Sequence, residues 1–240
     1  MHELLRHVRL LAFDYNGILV PHNGLLAEEA VLRALERAKR LGIKVCIVTS
    51  RPLSLLDERL LRLCDAVAAE EGCVLLIEGR REVRKPEGWD EMRERVRSAL
   101  GRPLMEGEVV IVYPLGKLDE LRRLAPEAQA TINRDKVVLV PKGADKGVAL
   151  RRLKQALGVR EGVLAMGDGE NDLKLFGEAD VKVAPANAAE ITKRSADIVL
   201  DKVDGDAVVE LINMIAEAQG TPSPSSDAPQ QGSRQSHHHR

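Results

Sequence analysis

The chain has 240 residues, of which 44% are hydrophobic and 30% are charged, and its formal net charge is −1 at pH 7. This composition is typical of a globular protein, and the charge balance argues against a strongly basic nucleic-acid-binding protein. Aromatic residues make up 2% of the chain, which argues against a stacking platform for bases. We therefore expect no nucleic-acid partner.

Cysteine and histidine usage narrows the chemistry further. The three cysteines, Cys46, Cys64 and Cys73, show no CxxC spacing, so neither a disulfide framework nor a zinc site is predicted. The histidines are confined to positions 2–22 and 237–239. A histidine-dependent catalytic triad is therefore not expected, and acid–base chemistry is assigned to carboxylates.

Targeting signals are not evident in the sequence. No apolar run approaches the roughly 18 residues that suggest a membrane span, and the N-terminal segment does not follow the pattern of a secretory signal. We predict a cytoplasmic protein without a membrane partner.

The first part of the chain alternates strands and helices. The apolar run at 8–13 is typical of a buried parallel strand, and the helical spacing of apolar residues at 26–41 predicts an amphipathic helix. A second strand at 43–48, a helix over 54–63 opened by Pro52, and a short strand at 66–69 are predicted to follow.

The middle of the chain has a different rhythm. Its strands outnumber its helices and pair locally, which predicts an antiparallel sheet with helices on one face. The predicted elements are a hairpin at 73–84, a helix at 88–100, a strand at 108–113, a helix at 117–124 and a hairpin formed by 130–133 and 136–140.

The strand–helix alternation then resumes. The predicted elements are a helix at 145–157, strands at 163–166 and 181–184, a helix at 188–195, a strand at 197–200 and a helix at 205–218. The fold class is therefore α/β, with a doubly wound, mostly parallel core formed by 1–75 and 142–220 and an inserted α+β domain at 76–141. Residues 221–240 contain no large apolar side chain and are predicted to be disordered.

Polar residues follow the predicted core strands at the edge where open α/β sheets bind ligands. Asp14 and Asp168 can share Mg²⁺ through their oxygens, and the Thr49 hydroxyl and neighbouring amides suit phosphate. Lys146 supplies a fixed positive charge. Each residue alone is equally well explained as a cap or turn residue. Together they predict phosphoryl transfer through an aspartyl-phosphate.

Four motifs carry a family resemblance. FDYNG, IVTSR, PKGADKGVAL and GDGENDLKLF occur in this order, and the chain resembles a haloacid dehalogenase (HAD) superfamily phosphatase of the Cof or IIB type over roughly residues 8–215. The resemblance implies a Rossmann-like core, a cap domain inserted between the second and third motifs, Mg²⁺ as cofactor, and a small phosphorylated metabolite as substrate. Sugar phosphates and phosphoglycolate are the substrates that the family suggests, and the sequence does not predict the oligomeric state.

Catalytic and metal-binding roles follow from the matched motifs. The resemblance implies that Asp14 is the nucleophile and a metal ligand, that Asn16 gives its backbone carbonyl to the metal, and that Lys146 is the motif lysine. Asp168 and Asp172 are the implied acidic metal ligands.

Phosphate or substrate binding is implied for a second group of residues. Thr49 matches the phosphate-binding hydroxyl, with Ser50 and Arg51 beside it in the same motif. Asn171 is expected to contact phosphate or to order its loop, and Asn187 is expected either to line the site or to cap a helix.

One position departs from the family pattern DxDGT, because Asn16 stands where the second aspartate is expected. An amide cannot exchange the proton that this aspartate gives to the leaving alcohol and takes from water, and a lost general acid–base removes about 10²–10⁴ in rate. Three hypotheses follow: a slowed phosphatase helped by Glu170 or Asp172, a phosphotransferase, and a non-catalytic protein that binds a phosphorylated ligand.

The cap is expected to carry substrate selectivity. Arg134, Tyr113 and Lys117 are the candidate specificity residues, although each is also typical of a solvated surface. Glu70-Glu71-Gly72 occupies the place where the family often has an ENG triplet, which leaves the contacts of this loop open.

Overall fold

The computed structural model describes residues 2–220, so the predicted disordered tail lies outside the described residues. Twelve strands form two sheets within this range. The strands are β1 Leu10–Phe13, β2 Lys44–Val48, β3 Ala66–Ala69, β4 Val74–Ile77, β5 Arg80–Val83, β6 Met105–Glu106, β7 Ile111–Pro114, β8 Ala128–Asn133, β9 Lys136–Pro141, β10 Val163–Met166, β11 Val181–Ala184 and β12 Ile198–Val199.

Helices separate most of these strands. They are α1 His2–Leu5, α2 Glu29–Arg40, α3 Glu58–Leu63, α4 Trp89–Leu100, α5 Leu118–Leu124, α6 Lys146–Leu157, α7 Asp172–Phe176, α8 Glu190–Ser195 and α9 Asp204–Ala218. None of the helices within residues 2–220 is both long and apolar enough to cross a membrane.

The larger sheet has eight strands in the order β12-β11-β10-β1-β2-β3-β4-β5. The strands from β12 to β3 are parallel, and β4 and β5 join the edge antiparallel. Strand β1 lies at the centre, and all four of its residues are buried, as expected for a strand covered on both faces. The prediction of a mostly parallel α/β core is confirmed.

Helices cover both faces of this sheet. Leu11 and Phe13 of β1 belong to one apolar cluster with residues of α2 and α9, and Leu10 and Ala12 belong to a second cluster with residues of α6. Alternate residues of a strand point to opposite faces, so the near-continuous apolar run of β1 serves both layers. This arrangement is the predicted doubly wound core.

The smaller sheet is antiparallel, with four strands in the order β6-β7-β9-β8. On one face, Ile111 and Leu139 pack in a cluster with residues of α4 and α5. On the other face, Val112 and Val138 lie opposite each other in the strand register. We call this sheet with α4 and α5 the cap, and we call its Val112–Val138 face the cap roof.

Two predicted boundaries differ from the structure. The proposed domain boundary at residue 76 falls inside β4, and the hairpin of β4 and β5 extends the eight-stranded sheet, because β4 pairs with β3 along its whole length. The helix predicted over 54–63 is confirmed only for Glu58–Leu63, and its predicted start is wrong. A 3₁₀ turn at Leu53–Leu55 is followed by α3, since Asp57 has extended backbone and its carboxylate caps α3 by accepting from the Arg59 N–H.

Candidate active site

Asp14 and Asp168 lie at the same edge of the larger sheet because they follow neighbouring parallel strands. Phe13 of β1 is in register with Met166 of β10, and the Asp14 N–H donates to the Met166 carbonyl at 3.0 Å. Both carboxylates are buried, with 7% of Asp14 and 2% of Asp168 exposed. The sheet itself therefore brings the two predicted acidic residues together.

Lys146, the first residue of α6, lies between two carboxylates. Its Nζ is 2.8 Å from Asp14 Oδ1 and 2.7 Å from Asp172 Oδ1, and its side chain is 1% exposed. Burial alone would lower the pKa of Lys146, but the charges of Asp14, Asp172 and Glu71 outweigh it and raise that pKa. The lysine is therefore a permanent cation at the nucleophile predicted from the sequence.

Asp172, at the start of α7, orders the loop that follows β10. Its Oδ2 accepts from the backbone N–H groups of Asp168 and Gly169, each at 2.9 Å, while its Oδ1 accepts from Lys146. The side chain is fully buried. Because both of its oxygens already accept hydrogen bonds, Asp172 fixes the position of Asp168 relative to Asp14.

Asp14, Asp168 and Asp172 form a candidate metal site. Each offers one carboxylate oxygen, and these oxygens lie within 4.8 Å of one another. Burial, followed by the charge of Asp172, raises the pKa of Asp14 to about 8 against the opposing effect of Lys146. The same two causes raise the pKa of Asp168. A buried cluster of oxygen donors with surplus negative charge fits Mg²⁺.

The loop after β1 brings its backbone close to this cluster. Gly17 has a φ of +78°, and a Cβ there would lie 2.5 Å from Asp168 Oδ2 and 2.6 Å from the His22 ring. Only glycine combines that backbone conformation with that close approach. The Asn16 amide donates to the His22 carbonyl at 3.4 Å, so its side chain is hydrogen-bonded within the loop that follows β1.

The predicted phosphate-binding loop follows β2. The Thr49 hydroxyl is buried and accepts from the Arg51 N–H at 3.1 Å. Ser50 donates its hydroxyl proton to the Glu71 carboxylate, and the Asn171 amide lies 3.3 Å from both Ser50 Oγ and Glu71 Oε1. Burial raises the pKa of Glu71, while Lys146 opposes the rise. These hydrogen bonds accommodate Glu71 at the position where the family often has asparagine.

A cavity of about 310 Å³ opens above these residues. Its floor includes Asp14, Thr49 and Asp168 from the core, and its upper wall belongs to the cap. Aliphatic and charged side chains share this wall. The remaining lining residues are Asn16, His22, Ser50, Arg51, Leu55, Leu104, Met105, Val112, Asn133, Arg134, Asp135, Lys136 and Val138.

Two cationic or potentially cationic side chains converge on Asp168. Arg134, at the tip of the β8–β9 hairpin, donates to Asp168 Oδ2 at 2.7 Å, and His22 Nε2 lies 2.9 Å from the same oxygen. Sequence reasoning missed His22, because it dismissed histidine on the basis of histidine-dependent triads. Its position eight residues after Asp14, in the loop of the first motif, was the available signal.

Asn187 lies apart from the predicted substrate site. Its amide donates to Asp204 Oδ1 at 3.1 Å, and it is not among the residues that line the cavity. Glu170, the carboxylate considered as a replacement acid, is exposed and does not line the cavity either. Neither side chain therefore lines the cavity above Asp14.

The three candidate specificity residues of the cap have different positions. Arg134 lines the cavity. The Tyr113 hydroxyl donates to the Gly101 carbonyl at 2.7 Å in the interior of the cap. Lys117 pairs with Glu120 at 2.8 Å and does not line the cavity. Only Arg134 of the three is placed to touch a substrate.

Comparison with known proteins identifies the class. Residues 110–212 match the family model of the haloacid dehalogenase-like hydrolases. A phosphoglycolate phosphatase 2 of Saccharolobus solfataricus is 32% identical over 222 residues, which cover 86% of this chain and 91% of that protein. A phosphoglycolate phosphatase of Methanopyrus kandleri is 31% identical, with 78% of this chain and 88% of that protein covered.

Solved structures share the fold. The crystal structure of Thermoplasma acidophilum 0175 superposes with a TM-score of 0.76 at 21% identity, covering 88% of this chain and 99% of that one. A HAD subclass IIB sugar phosphatase gives a TM-score of 0.70 at 18% identity, covering 85% and 97%. The chain belongs to the haloacid dehalogenase-like hydrolases. Within that family it is an enzyme of the phosphatase type, as the motifs predicted.

Proposed function

We propose that this protein is a Mg²⁺-dependent phosphoric monoester hydrolase that acts on a small phosphorylated metabolite through an aspartyl-phosphate on Asp14. One observation carries the proposal: Lys146 bridges Asp14 and Asp172 beside Asp168, at the floor of a cavity that the cap covers. A buried nucleophile held by a fixed cation, next to a hard-oxygen metal site, is suited to phosphoryl transfer.

In the first step, a carboxylate oxygen of Asp14 attacks phosphorus, and the bond from phosphorus to the ester oxygen breaks. The bonding electrons leave with the alcohol oxygen, which then takes a proton from water. Lys146 keeps Asp14 oriented through its 2.8 Å contact, and the Thr49 loop supplies donors for the phosphate oxygens. Asp14, Asp168, Asp172 and the Asn16 carbonyl would hold Mg²⁺, which would neutralise charge on the phosphate.

In the second step, water attacks the phosphorus of the aspartyl-phosphate. The bond between phosphorus and the Asp14 oxygen breaks, the carboxylate is restored, and inorganic phosphate leaves. Both steps require a proton transfer that the amide of Asn16 cannot perform. We therefore propose a slowed hydrolase, since a missing general acid–base lowers the rate by about 10²–10⁴. The hydrolysis rate is expected to fall least for esters with good leaving groups.

Phosphoglycolate is the substrate type that the relatives support, because the proteins from Saccharolobus solfataricus and Methanopyrus kandleri are phosphoglycolate phosphatases. The cavity of about 310 Å³ suits a small molecule, and Arg51, Arg134 and Lys136 line it. Their positive charge suits a substrate that carries a carboxylate in addition to its phosphate. Sugar phosphates are the second class to test.

The test is phosphate release from a panel of phosphoglycolate, sugar phosphates and p-nitrophenyl phosphate, with Mg²⁺ and with EDTA. We expect slow turnover with Mg²⁺, and loss of activity by more than about 10⁴-fold in Asp14→Asn together with loss of acid-stable phosphoenzyme. Surviving activity in Asp14→Asn would place the chemistry elsewhere. Phosphate transfer to an added alcohol in preference to water would indicate a phosphotransferase, and ligand-dependent thermal stabilisation without turnover would indicate a binding protein.

A further inference from the structure

Glu70, the residue that follows β3, connects the core to the cap through its side chain. Its carboxylate accepts three successive backbone N–H groups immediately before β7: Oε1 accepts from Glu108 at 3.1 Å, and Oε2 accepts from Val109 at 2.7 Å and from Val110 at 2.9 Å. Glu70 is 1% exposed. A carboxylate that accepts several backbone amides forms strong, charge-assisted hydrogen bonds.

The local geometry shows that this contact is tightly built. A Cβ at Gly107 would overlap the Glu70 carboxylate, so the cap backbone approaches as closely as it does only because residue 107 is glycine. Glu70 and Glu71 have φ values of 54° and 56°, a left-handed conformation that is costly for residues other than glycine. Such strain persists only where surrounding contacts hold it.

Side chains of α4 hold the same segment from the cap side. The guanidinium of Arg93, which is 7% exposed, donates to the carbonyls of Gly107 and Glu108, each at 2.7 Å. The Trp89 indole N–H donates to the Val109 carbonyl at 2.8 Å. The N–H groups of residues 108–110 therefore bond to the core, and the carbonyls of residues 107–109 bond to the cap. This segment fixes the position of the cap relative to the core.

On the core side, Glu70 is joined to the predicted phosphate-binding loop. Its N–H donates to the Arg51 carbonyl at 3.0 Å, and the N–H of Glu71 donates to the Thr49 carbonyl at 3.0 Å. On the cap side, Val110 is followed directly by β7, whose Val112 lines the cavity in the cap roof. A short, continuous chain of hydrogen bonds and backbone thus links the phosphate loop to the roof.

We propose that Glu70 is the positioning residue that sets the cap roof over the phosphate-binding loop, and that it controls the binding of the substrate's organic group rather than the phosphoryl chemistry. The kinetic part of this proposal rests on the proposed phosphatase function. Loss of the carboxylate leaves the buried N–H groups of Val109 and Val110 and the part-buried N–H of Glu108 without their acceptor. The cap roof is then no longer held in position above Asp14, while Asp14, Lys146 and Asp168 keep their own contacts.

Amide hydrogen exchange tests the structural part without any need for turnover. We expect exchange at residues 108–110 to accelerate at least tenfold in Glu70→Ala and less in Glu70→Gln, which keeps one acceptor oxygen, while the amides of β10 stay protected. Glu87→Ala, which removes an exposed carboxylate, should leave all of these rates unchanged. Wild-type exchange at residues 108–110 in both Glu70 variants would overturn the proposal.

Two substrates test the functional part. p-Nitrophenyl phosphate places an aromatic ring in the cavity that Val112 and Val138 line, whereas acetyl phosphate carries only a two-carbon group. We expect Glu70→Gln to raise KM for p-nitrophenyl phosphate about tenfold with kcat little changed, and to leave acetyl phosphate within about twofold. Equal losses for both substrates would show that Glu70 contributes only to overall stability, and would overturn the positioning role. If the wild-type protein hydrolyses neither substrate, the proposed function fails, and the exchange experiment still decides the contact.

Discussion

The floor and the roof of the cavity are built in different ways. The floor, which includes Asp14, Thr49 and Asp168, consists of buried side chains that follow central strands packed on both faces, and Lys146 lies against Asp14. The roof belongs to a four-stranded sheet whose strand β8 is largely half-buried, and Glu70 joins this sheet to the core. The reacting groups are thus fixed by dense packing, while the groups facing the organic part of a substrate depend on a small number of polar contacts.

This difference has an energetic basis. Removing one partner of a buried ion pair typically costs 3–5 kcal/mol, because the other charge stays buried without compensation. The contacts of Lys146 with Asp14 and Asp172 are of this kind. Arg134 is 41% exposed, and an exposed partner can be solvated when its contact breaks. The floor is therefore expected to tolerate little change, and the roof is free to vary with the substrate.

After loss of the nucleophile, the largest expected effect is a gain in the hydrolysis rate when Asn16 is replaced. Asn16→Asp restores the side chain of the family pattern, and we expect p-nitrophenyl phosphate hydrolysis with Mg²⁺ to rise by up to about 10²–10⁴-fold, since an acid–base group is regained. Steady-state absorbance assays measure this. Asn133→Asp adds the same charge to the cavity lining and should give no gain. No increase in Asn16→Asp, with fold and Mg²⁺ binding intact, would refute the slowed-hydrolase proposal.

A moderate effect is expected at Arg134, on the cap side of the cavity. Arg134→Ala removes a guanidinium that lines the cavity. A hydrogen bond from it to the substrate's carboxylate would contribute about 1.5–3 kcal/mol, or roughly 10–100-fold in KM for phosphoglycolate. We expect kcat to change less than KM, because the floor is intact. Arg134→Lys should recover part of the affinity, and Arg123→Ala, an exposed arginine of the cap, should have no effect. A fall in kcat at constant KM would assign Arg134 to the chemistry instead.

The smallest effect is expected at Asn187, whose amide donates to Asp204 away from the cavity. Asn187→Ala should keep kcat and KM within about twofold and should reduce the free energy of unfolding by about 1 kcal/mol for the lost hydrogen bond. Urea denaturation and steady-state kinetics check the two parts. A tenfold rise in KM would return Asn187 to the substrate site that the sequence suggested.

Much of the floor followed from the sequence because its residues stand next to strongly patterned elements. Asp14 and Asp168 directly follow buried strands, and parallel strands present their carboxyl ends at one edge. His22 and Glu70 could not be placed in the same way, since each acts through residues distant in sequence. The hairpin of β4 and β5 was similarly ambiguous, because local pairing looks the same whether a hairpin joins the core sheet or the cap.

The sequence by itself determined the alternation of strands and helices, the motifs and the substitution at position 16, because hydrophobic periodicity and residue identity are local properties. Tertiary structure alone decided that Arg134 and His22 meet at Asp168, that the Asn187 amide bonds to Asp204, and that Glu70 holds residues 108–110. These contacts depend on how two sheets are oriented relative to each other. That orientation is set by packing and by hydrogen bonds between distant segments, which no local pattern encodes.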